Sequence, residues 1–183
     1  MYINMLSDLD IYDLAKQLRI PNTIECFYKD QLREYKFKPE KAYIVNLASE
    51  TDDNFGTHYT LLFSKRNPFE NNRLEYLYFD SEGGAPPLEV LEFVRKPKIP
   101  YSDKQIQGRF NNSCGFYCLA LLHYLQVFPN RLNNMYLDVE MFLDLFDDTE
   151  VKVDTLHNEL MLKQFFLKMP EDKISSLYIN HID

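Results

Sequence analysis

The sequence predicts an α+β fold in which helices pack on a central mixed β-sheet and one buried helix runs through the core. Two observations carry this prediction. Three apolar runs rich in β-branched and aromatic residues follow one another between residues 42 and 80, as the strands of one sheet do. A longer segment at 114–126 is apolar nearly all round, which is typical of a helix buried on every side.

The length and composition are those of one soluble globular domain. The chain has 183 residues, of which 45% are hydrophobic, enough to bury a core without metal or disulfide support. We see no internal repeat and no linker, and we expect residues 1–183 to form a single domain. The strongest apolar run is too short to cross a bilayer, and the first residues, Met1 to Asp8, lack the basic region typical of a secretory signal. Membrane and secreted proteins are therefore disfavoured.

Charge and cysteine content limit the partners and the compartment. The net charge of −8 predicts weak non-specific binding to nucleic acid. The three cysteines, an odd number, make a disulfide framework improbable and indicate a reducing compartment. In such a compartment a free cysteine is a candidate nucleophile.

The N-terminal half predicts a helix and then the first strands. Residues 7–18 form an amphipathic helix that Ser7 and Asp10 can cap, with either Leu9 or Ile11 beginning its buried stripe. Residues 23–41 are mixed and polar, which indicates a loop that can include a short edge element. The run at 42–48 is a buried central strand.

Two further strands and a short helix follow. The strand at 57–63 places His58 within it, and a loop is predicted at 64–72. The third strand, 74–80, ends where two glycines and two prolines break it. Residues 88–94 form a short helix.

The remaining elements lead to the C-terminus. We expect a short strand at 104–107, a loop at 108–113, the buried helix from Cys114, and amphipathic helices at roughly 139–146 and 155–169. The acidic C-terminal third should pack on the core with its charges solvated. The side chains expected to do so are Phe142, Leu145, Phe146, Leu160, Phe165 and Phe166.

Cys114 is the strongest candidate for chemistry. It stands at a loop-to-helix boundary, where the helix dipole and unpaired backbone N–H groups favour the thiolate. The same N–H groups can stabilise an oxyanion, and Gly115 lets a substrate chain approach closely. The competing interpretation is a buried helix cysteine, which we prefer for Cys118. We expect Cys26 to be inert.

His58 is the best candidate base, because an imidazole within an apolar strand needs a reason to be there. His123 lies two to three turns further along the helix of Cys114 and points away from its tip. His157 and His181 have no distinguishing surroundings. A metal site built from Cys114, Cys118 and His123 would lack a fourth ligand and the usual spacing, so we predict no metal.

Two polar residues complete a catalytic set. Asp80 ends the strand predicted beside His58 and can orient its imidazole, with Glu82 as the alternative carboxylate. Gln107 is an amide donor seven residues before Cys114. Together these four residues provide the nucleophile, base, orienting carboxylate and oxyanion donor of acyl transfer, in the chain order His, Asp, Cys.

The stretches around these residues resemble those of the adenovirus-type maturation proteases (adenain), part of the wider group that includes the ubiquitin-like-protein proteases. The matching stretches are Gly56-Thr-His58-Tyr, Tyr78-Phe-Asp80-Ser-Glu-Gly and Gln107-Gly-Arg-Phe-Asn-Asn-Ser-Cys114-Gly-Phe-Tyr-Cys, with weaker matches at 14–18 and 42–47. The resemblance covers roughly residues 8–126. It implies a papain-like, adenain-like fold in which Cys114 is the nucleophile, His58 the base and Asp80 its partner. Gln107 and a backbone N–H near Cys114 would then form the oxyanion hole.

The sequence also departs from the adenovirus enzymes, which usually have Trp after the histidine and Glu as the third member. Here these positions are Tyr59 and Asp80, the latter as in the ubiquitin-like-protein proteases. The adenovirus enzymes use as activators DNA and a viral peptide that is disulfide-linked to a further cysteine. No cysteine lies between Asp80 and Cys114 and the chain is acidic, so the sequence argues against both activators. We predict no cofactor.

The resemblance and the small size imply a protease of a double-stranded DNA virus or virophage that cleaves capsid or other structural proteins at Gly-Gly or Gly-Ala sites. We expect a monomer without membrane contact, in the virion and in the cytoplasmic viral factory or the nucleus of the infected cell. Three alternatives remain open. They are a deconjugating protease for ubiquitin-like modifiers, an acetyltransferase with the same triad, and an inactive binding module.

Overall fold

The computed structural model describes residues 2–3, 6–20, 24–51, 58–108, 111–127, 134–150, 155–167 and 178–179. Its strands are β1 (Tyr2–Ile3), β2 (Ile24–Tyr28), β3 (Ala42–Asn46), β4 (Tyr59–Asn67), β5 (Arg73–Phe79) and β6 (Tyr178–Ile179). Its α-helices are α1 (Asp8–Gln17), α2 (Leu88–Val94), α3 (Cys114–Val127), α4 (Met135–Leu143) and α5 (Leu156–Gln164), and a 3-10 helix spans Lys29–Glu34.

Four strands form the central sheet in the order β2-β3-β4-β5. β2 is parallel to β3, whereas β3–β4 and β4–β5 are antiparallel, so the sheet is mixed. β1 and β6 form a separate antiparallel pair. The predicted α+β class is confirmed, with helices packed on a mixed sheet and a buried helix that begins at Cys114.

The alternating side chains of the strands separate two layers of core, which explains why the strand runs are continuously apolar. Ile44, Leu61 and Phe79 point to the side that holds α3. Tyr43 and Leu62 point to the other side, where α2 covers them. Helix α3 is buried over almost its whole length, because the sheet, α1, α4 and α5 all contact it.

Helix α1 has the predicted cap. Asp10 N donates to Ser7 Oγ at 3.2 Å, and Ser7 N donates to Asp10 Oδ2 at 2.9 Å, which together make a capping box. Ile11 is fully buried and Leu9 is 78% exposed. Of the two alternatives for the start of the buried stripe, Ile11 is therefore the correct one.

The segment 23–41 contains the short edge element that the sequence allowed: β2 is an edge strand of the sheet, pairs in parallel along all of β3 and is followed by the 3-10 helix. Two other predictions need correction. Strand β4 continues to Asn67, where a loop was predicted, because β5 pairs with it along that whole length. His58 lies immediately before β4 rather than within it.

The strand predicted at 104–107 is also wrong. The amide N–H groups of Ile106 and Gln107 both donate to the carbonyl of Ser81, each at 2.9 Å. Two donors on one acceptor do not make a strand ladder, so this segment is irregular.

Helix α5 lies within the range predicted for it, whereas α4 overlaps its predicted range but begins four residues earlier, at Met135. Phe142, Phe146 and Phe166 are buried as predicted, but Leu160 is 52% exposed and Leu162 packs inward in its place. Within the described parts of the chain, no helix combines the length and apolarity needed to cross a bilayer.

Candidate active site

His58 and Asp80 meet because β4 and β5 are antiparallel neighbours. Leu61 pairs with Phe79, so the start of β4 and the end of β5 lie side by side at the same end of the two strands. His58 precedes the one and Asp80 follows the other. His58 Nε2 lies 2.6 Å from Asp80 Oδ1, and both side chains are largely buried. The predicted imidazole–carboxylate contact is present.

The turn after β5 holds the Asp80 carboxylate in place. The backbone N–H of Glu82 donates to Asp80 Oδ1 at 2.8 Å, while the Glu82 side chain is exposed. Gly83 adopts a φ of +75° and its N–H donates to the Asp80 carbonyl. Gly84 packs directly against the carboxylate. Asp80, and not the alternative Glu82, therefore contacts the imidazole.

Cys114 is the first residue of α3 and lies beside the start of β4. Its Sγ accepts a hydrogen bond from the backbone N–H of Tyr59 at 3.3 Å. Cys114 also helps to raise the pKa of the His58 imidazole through hydrogen bonding and charge, so the thiol lies next to that ring. Because Nε2 of the imidazole is held by Asp80, Nδ1 is the nitrogen left to face the sulfur. Asp80, His58 and Cys114 thus form one continuous chain of contacts.

The surroundings of His58 favour its protonated form. Burial alone lowers the pKa of the imidazole, but the hydrogen bonds to Asp80 and Cys114, together with their charges, outweigh burial and raise this pKa from 6.5 to about 10. An imidazolium at neutral pH can stabilise a thiolate at Cys114.

The other two cysteines are in surroundings that suppress reactivity. Cys118 is fully buried, and burial raises the pKa of its thiol well above the usual value. Burial also raises the pKa of the Cys26 thiol, to about 12. All three cysteines are free thiols. The surroundings of Cys26 and Cys118 agree with their interpretation as structural residues.

Gln107 is buried in the irregular segment that precedes the Cys114 loop. Its Oε1 accepts from the Ser81 hydroxyl at 2.7 Å, and its Nε2 donates to the carbonyl of Asn111. Ser81 follows Asp80 directly, and Asn111 lies three residues before Cys114. Gln107 therefore links the turn after β5, which holds Asp80, to the loop before Cys114. Its amide nitrogen lies on the side of that loop.

The remaining histidines lie away from this cluster or beyond the described residues. His123 is partly buried on α3, and His157 is exposed on α5 with Nε2 3.3 Å from the carbonyl of Leu145. His181 lies outside the described residues, as do Gly56 and Thr57 of the motif around His58. Among the described residues, no group of three or more His, Cys, Asp or Glu could hold a metal ion.

Three contributors were missed by the sequence analysis. They are the backbone N–H of Tyr59, the Ser81 hydroxyl and the absent side chain of Gly84. The glycine pair after β5 is the one sequence signal that could have pointed to the third, but it also fits an ordinary turn. A backbone donor gives no sequence signal, and a serine after a strand is common.

Comparison with known proteins adds little to these observations. No protein family profile matches the chain, and no curated protein matches it in sequence. Among solved structures, the ASFV pS273R protease is similar to it, with a TM-score of 0.48 and 13% sequence identity over 88% of this chain. The chain spans 66% of the length of that protease. The activity of this chain must therefore be inferred from its own side chains.

Proposed function

We propose that this chain is a cysteine endopeptidase whose nucleophile is Cys114. The observation that carries the proposal is the chain of contacts from Asp80 through His58 to a thiol at the first residue of a buried helix. Such a chain is the arrangement that activates a nucleophile for acyl transfer. An inactive binding module would have no need of a carboxylate and an imidazole aligned on one of three thiols.

The reaction follows from this geometry. The Cys114 thiolate adds to the peptide carbonyl carbon, a C–S bond forms, and the carbonyl π electrons move onto oxygen. When the tetrahedral intermediate collapses, the C–N bond breaks and His58 transfers its proton to the leaving amine. Water then adds to the thioester carbon while His58 accepts one of its protons. When this second intermediate collapses, the C–S bond breaks, the acid leaves, and the Cys114 thiolate and His58 imidazolium are restored.

Gln107 and the N-terminus of α3 supply the oxyanion hole. The Gln107 amide nitrogen carries two N–H groups, one of which donates to Asn111. The other is assigned to the oxyanion. The first backbone N–H groups of an α-helix have no partner within the helix, so one beside Cys114 is the second donor.

The substrates that we propose are precursors of viral capsid or other structural proteins, cut at Gly-Gly or Gly-Ala sites. The support is the resemblance of the stretches around His58, Asp80 and Cys114 to the adenovirus-type maturation proteases. The acidic composition and the absence of a cysteine between Asp80 and Cys114 favour an enzyme that needs neither DNA nor a disulfide-linked peptide. The proposed setting is an infected cell and its virions, with a monomeric enzyme.

The second candidate is a deconjugating protease for ubiquitin-like modifiers. Aspartate at position 80, where the adenovirus enzymes usually have glutamate, is the observation that favours it. Rapid labelling of Cys114 by a ubiquitin or ubiquitin-like vinyl sulfone would support this candidate. Indifference to such probes, together with cleavage of a capsid precursor, would support the maturation protease.

The experiment is mass spectrometry of the viral capsid precursor after incubation with wild-type protein and with Cys114→Ala. We expect cleavage after a pair of small residues with the wild type and none with the variant. Cys26→Ala is the matched control, since it removes a thiol that the site does not use. Cleavage by pure Cys114→Ala would overturn the proposal.

A further inference from the structure

Asn158 of α5 is fully buried, and its side chain links the C-terminal third to the segment that carries Gln107. Its Nδ2 donates to the carbonyl of Ile106 at 2.9 Å and to that of Asp147 at 2.8 Å. Its Oδ1 accepts from the N–H of Asp147 at 2.7 Å. A buried amide with both of its ends satisfied specifies one arrangement of the groups around it.

Thr149 makes a second set of contacts to the same segment. Its backbone N–H donates to the carbonyl of Gln105 at 2.8 Å, and its hydroxyl lies 3.0 Å from the carbonyl of Gln107. Asn158 and Thr149 therefore bind the carbonyls of three successive residues, 105–107. These carbonyls have no strand partner, because the segment is irregular.

Two residues that follow Gln107, Gly108 and Asn111, also contact α5 or the residue before it. Asn111, which accepts from the Gln107 amide, donates through Nδ2 to Glu159 at 3.0 Å. A Cβ atom on Gly108 would lie 2.6 Å from Cγ2 of Thr155, so Thr155 packs directly against the backbone at that position. The C-terminal third thus contacts the Gln107 segment on both sides.

We propose that Asn158 is a positioning residue for oxyanion stabilisation, which it supports by holding the Gln107 segment in register with Cys114. This inference rests on the proposed function. Stabilisation by an oxyanion donor depends on its distance from the developing charge, so a segment that moves by a fraction of an ångström loses much of the effect. The acidic C-terminal third would then serve the site through its buried polar contacts, not through its exposed charges.

The test distinguishes a defect in the oxyanion hole from a defect in the reactivity of the nucleophile. The substrate is the peptide Leu-Arg-Gly-Gly-aminomethylcoumarin, and the inhibitor is acetyl-glycyl-glycinal. The thiolate adds to the aldehyde carbon of the inhibitor, a C–S bond forms and the carbonyl π electrons move onto oxygen, which lies in the oxyanion hole and takes its proton from the His58 imidazolium. Iodoacetamide alkylation of Cys114 needs the thiolate but places no oxygen in that hole.

For Asn158→Ala we expect kcat on the peptide to fall by about 10-fold to 100-fold, below the loss of about 10²-fold to 10³-fold for deleting an oxyanion donor. KM should change little, the aldehyde should bind more weakly by a similar factor, and the rate of alkylation should stay within about twofold of wild type, since the contacts of His58 are intact. Asn67→Ala is the matched control. Asn67 is a similarly buried, hydrogen-bonded asparagine at the opposite end of β4, and its loss should leave all three readouts unchanged.

Thr149→Val keeps the size of a partly exposed side chain and removes only its hydroxyl, so it serves if Asn158→Ala does not fold. It should also lower kcat while leaving the alkylation rate near that of wild type, and the fall in kcat should be smaller than in Asn158→Ala. An unchanged kcat in a folded Asn158→Ala or in Thr149→Val, or an equal loss of kcat and alkylation, would overturn the positioning role alone. Wild-type protein that neither hydrolyses the peptide nor binds the aldehyde would overturn the proposed function and this inference with it.

Discussion

A Cβ atom on residue 84 would lie 2.5 Å from Oδ2 of Asp80, so the carboxylate that contacts His58 fits only beside a glycine. Real Cβ atoms do not approach an oxygen so closely. Any side chain at position 84 must displace either the turn or the carboxylate. The position of Asp80 therefore depends on the absence of a side chain four residues later.

Gly84→Ala should lower kcat/KM by up to about 100-fold, because the displaced carboxylate no longer orients the imidazole. The measurement is a double-mutant cycle with Asp80→Ala, which empties the space that the new methyl group needs. In that background Gly84→Ala should have little further effect. Full additivity of the two losses would contradict this account.

Asp80→Asn should move the alkaline limb of the pH–kcat/KM profile to lower pH. The active form needs the His58 imidazolium, which is lost as the pH rises through the His58 pKa of about 10. The carboxylate is one of the causes that raise this pKa, so removing its charge lowers the pKa and the limb follows. Glu82→Gln removes the neighbouring exposed carboxylate and should leave the limb where it is. A limb that does not move in Asp80→Asn would contradict the assignment.

Alkylation at neutral pH should be confined to one cysteine. Burial raises the pKa of Cys26 to about 12 and raises that of Cys118 well above its usual value, whereas Cys114 lies against the His58 imidazolium. Peptide mapping after brief iodoacetamide treatment should find the label on Cys114 alone. His58→Ala should slow that labelling, because the thiolate loses its counter-charge. Labelling of Cys26 at a comparable rate would be the contrary result.

Tyr59→Phe should lower the free energy of unfolding by about 1 kcal/mol without slowing alkylation of Cys114. The Tyr59 hydroxyl donates to Asp8 Oδ1 at 2.9 Å, which joins α1 to β4, while the backbone N–H that reaches Cys114 Sγ is unchanged by the substitution. Urea unfolding gives the stability. Tyr35→Phe, on a half-exposed ring, is the control, and an alkylation rate that falls with stability would show that the hydroxyl also positions the thiol.

Three residues of the candidate site could be chosen from the sequence because each stands at a local structural signal. Cys114 begins an apolar helix and Asp80 stands between an apolar strand and two glycines, while His58 was chosen as an imidazole within an apolar strand, although it lies immediately before β4. The register of β4 and β5 then brings the last two together. Gln107 was chosen with its segment misassigned as a strand, because a pattern of alternating residues does not show that two N–H groups share one carbonyl.

The sequence by itself determined the class of the fold, the cap of α1 and the order of the candidate residues, since helix caps, strand periodicity and apolar runs are properties of neighbours in the chain. The tertiary structure decided which contacts hold those residues. The Asp80 carboxylate leaves no room for a side chain at position 84. Tyr59 donates its N–H to Cys114 across 55 positions, and Asn158 binds the carbonyl of Ile106 across 52 positions. The last two contacts join residues far apart in the chain, and only packing of the whole core brings such residues within hydrogen-bond distance.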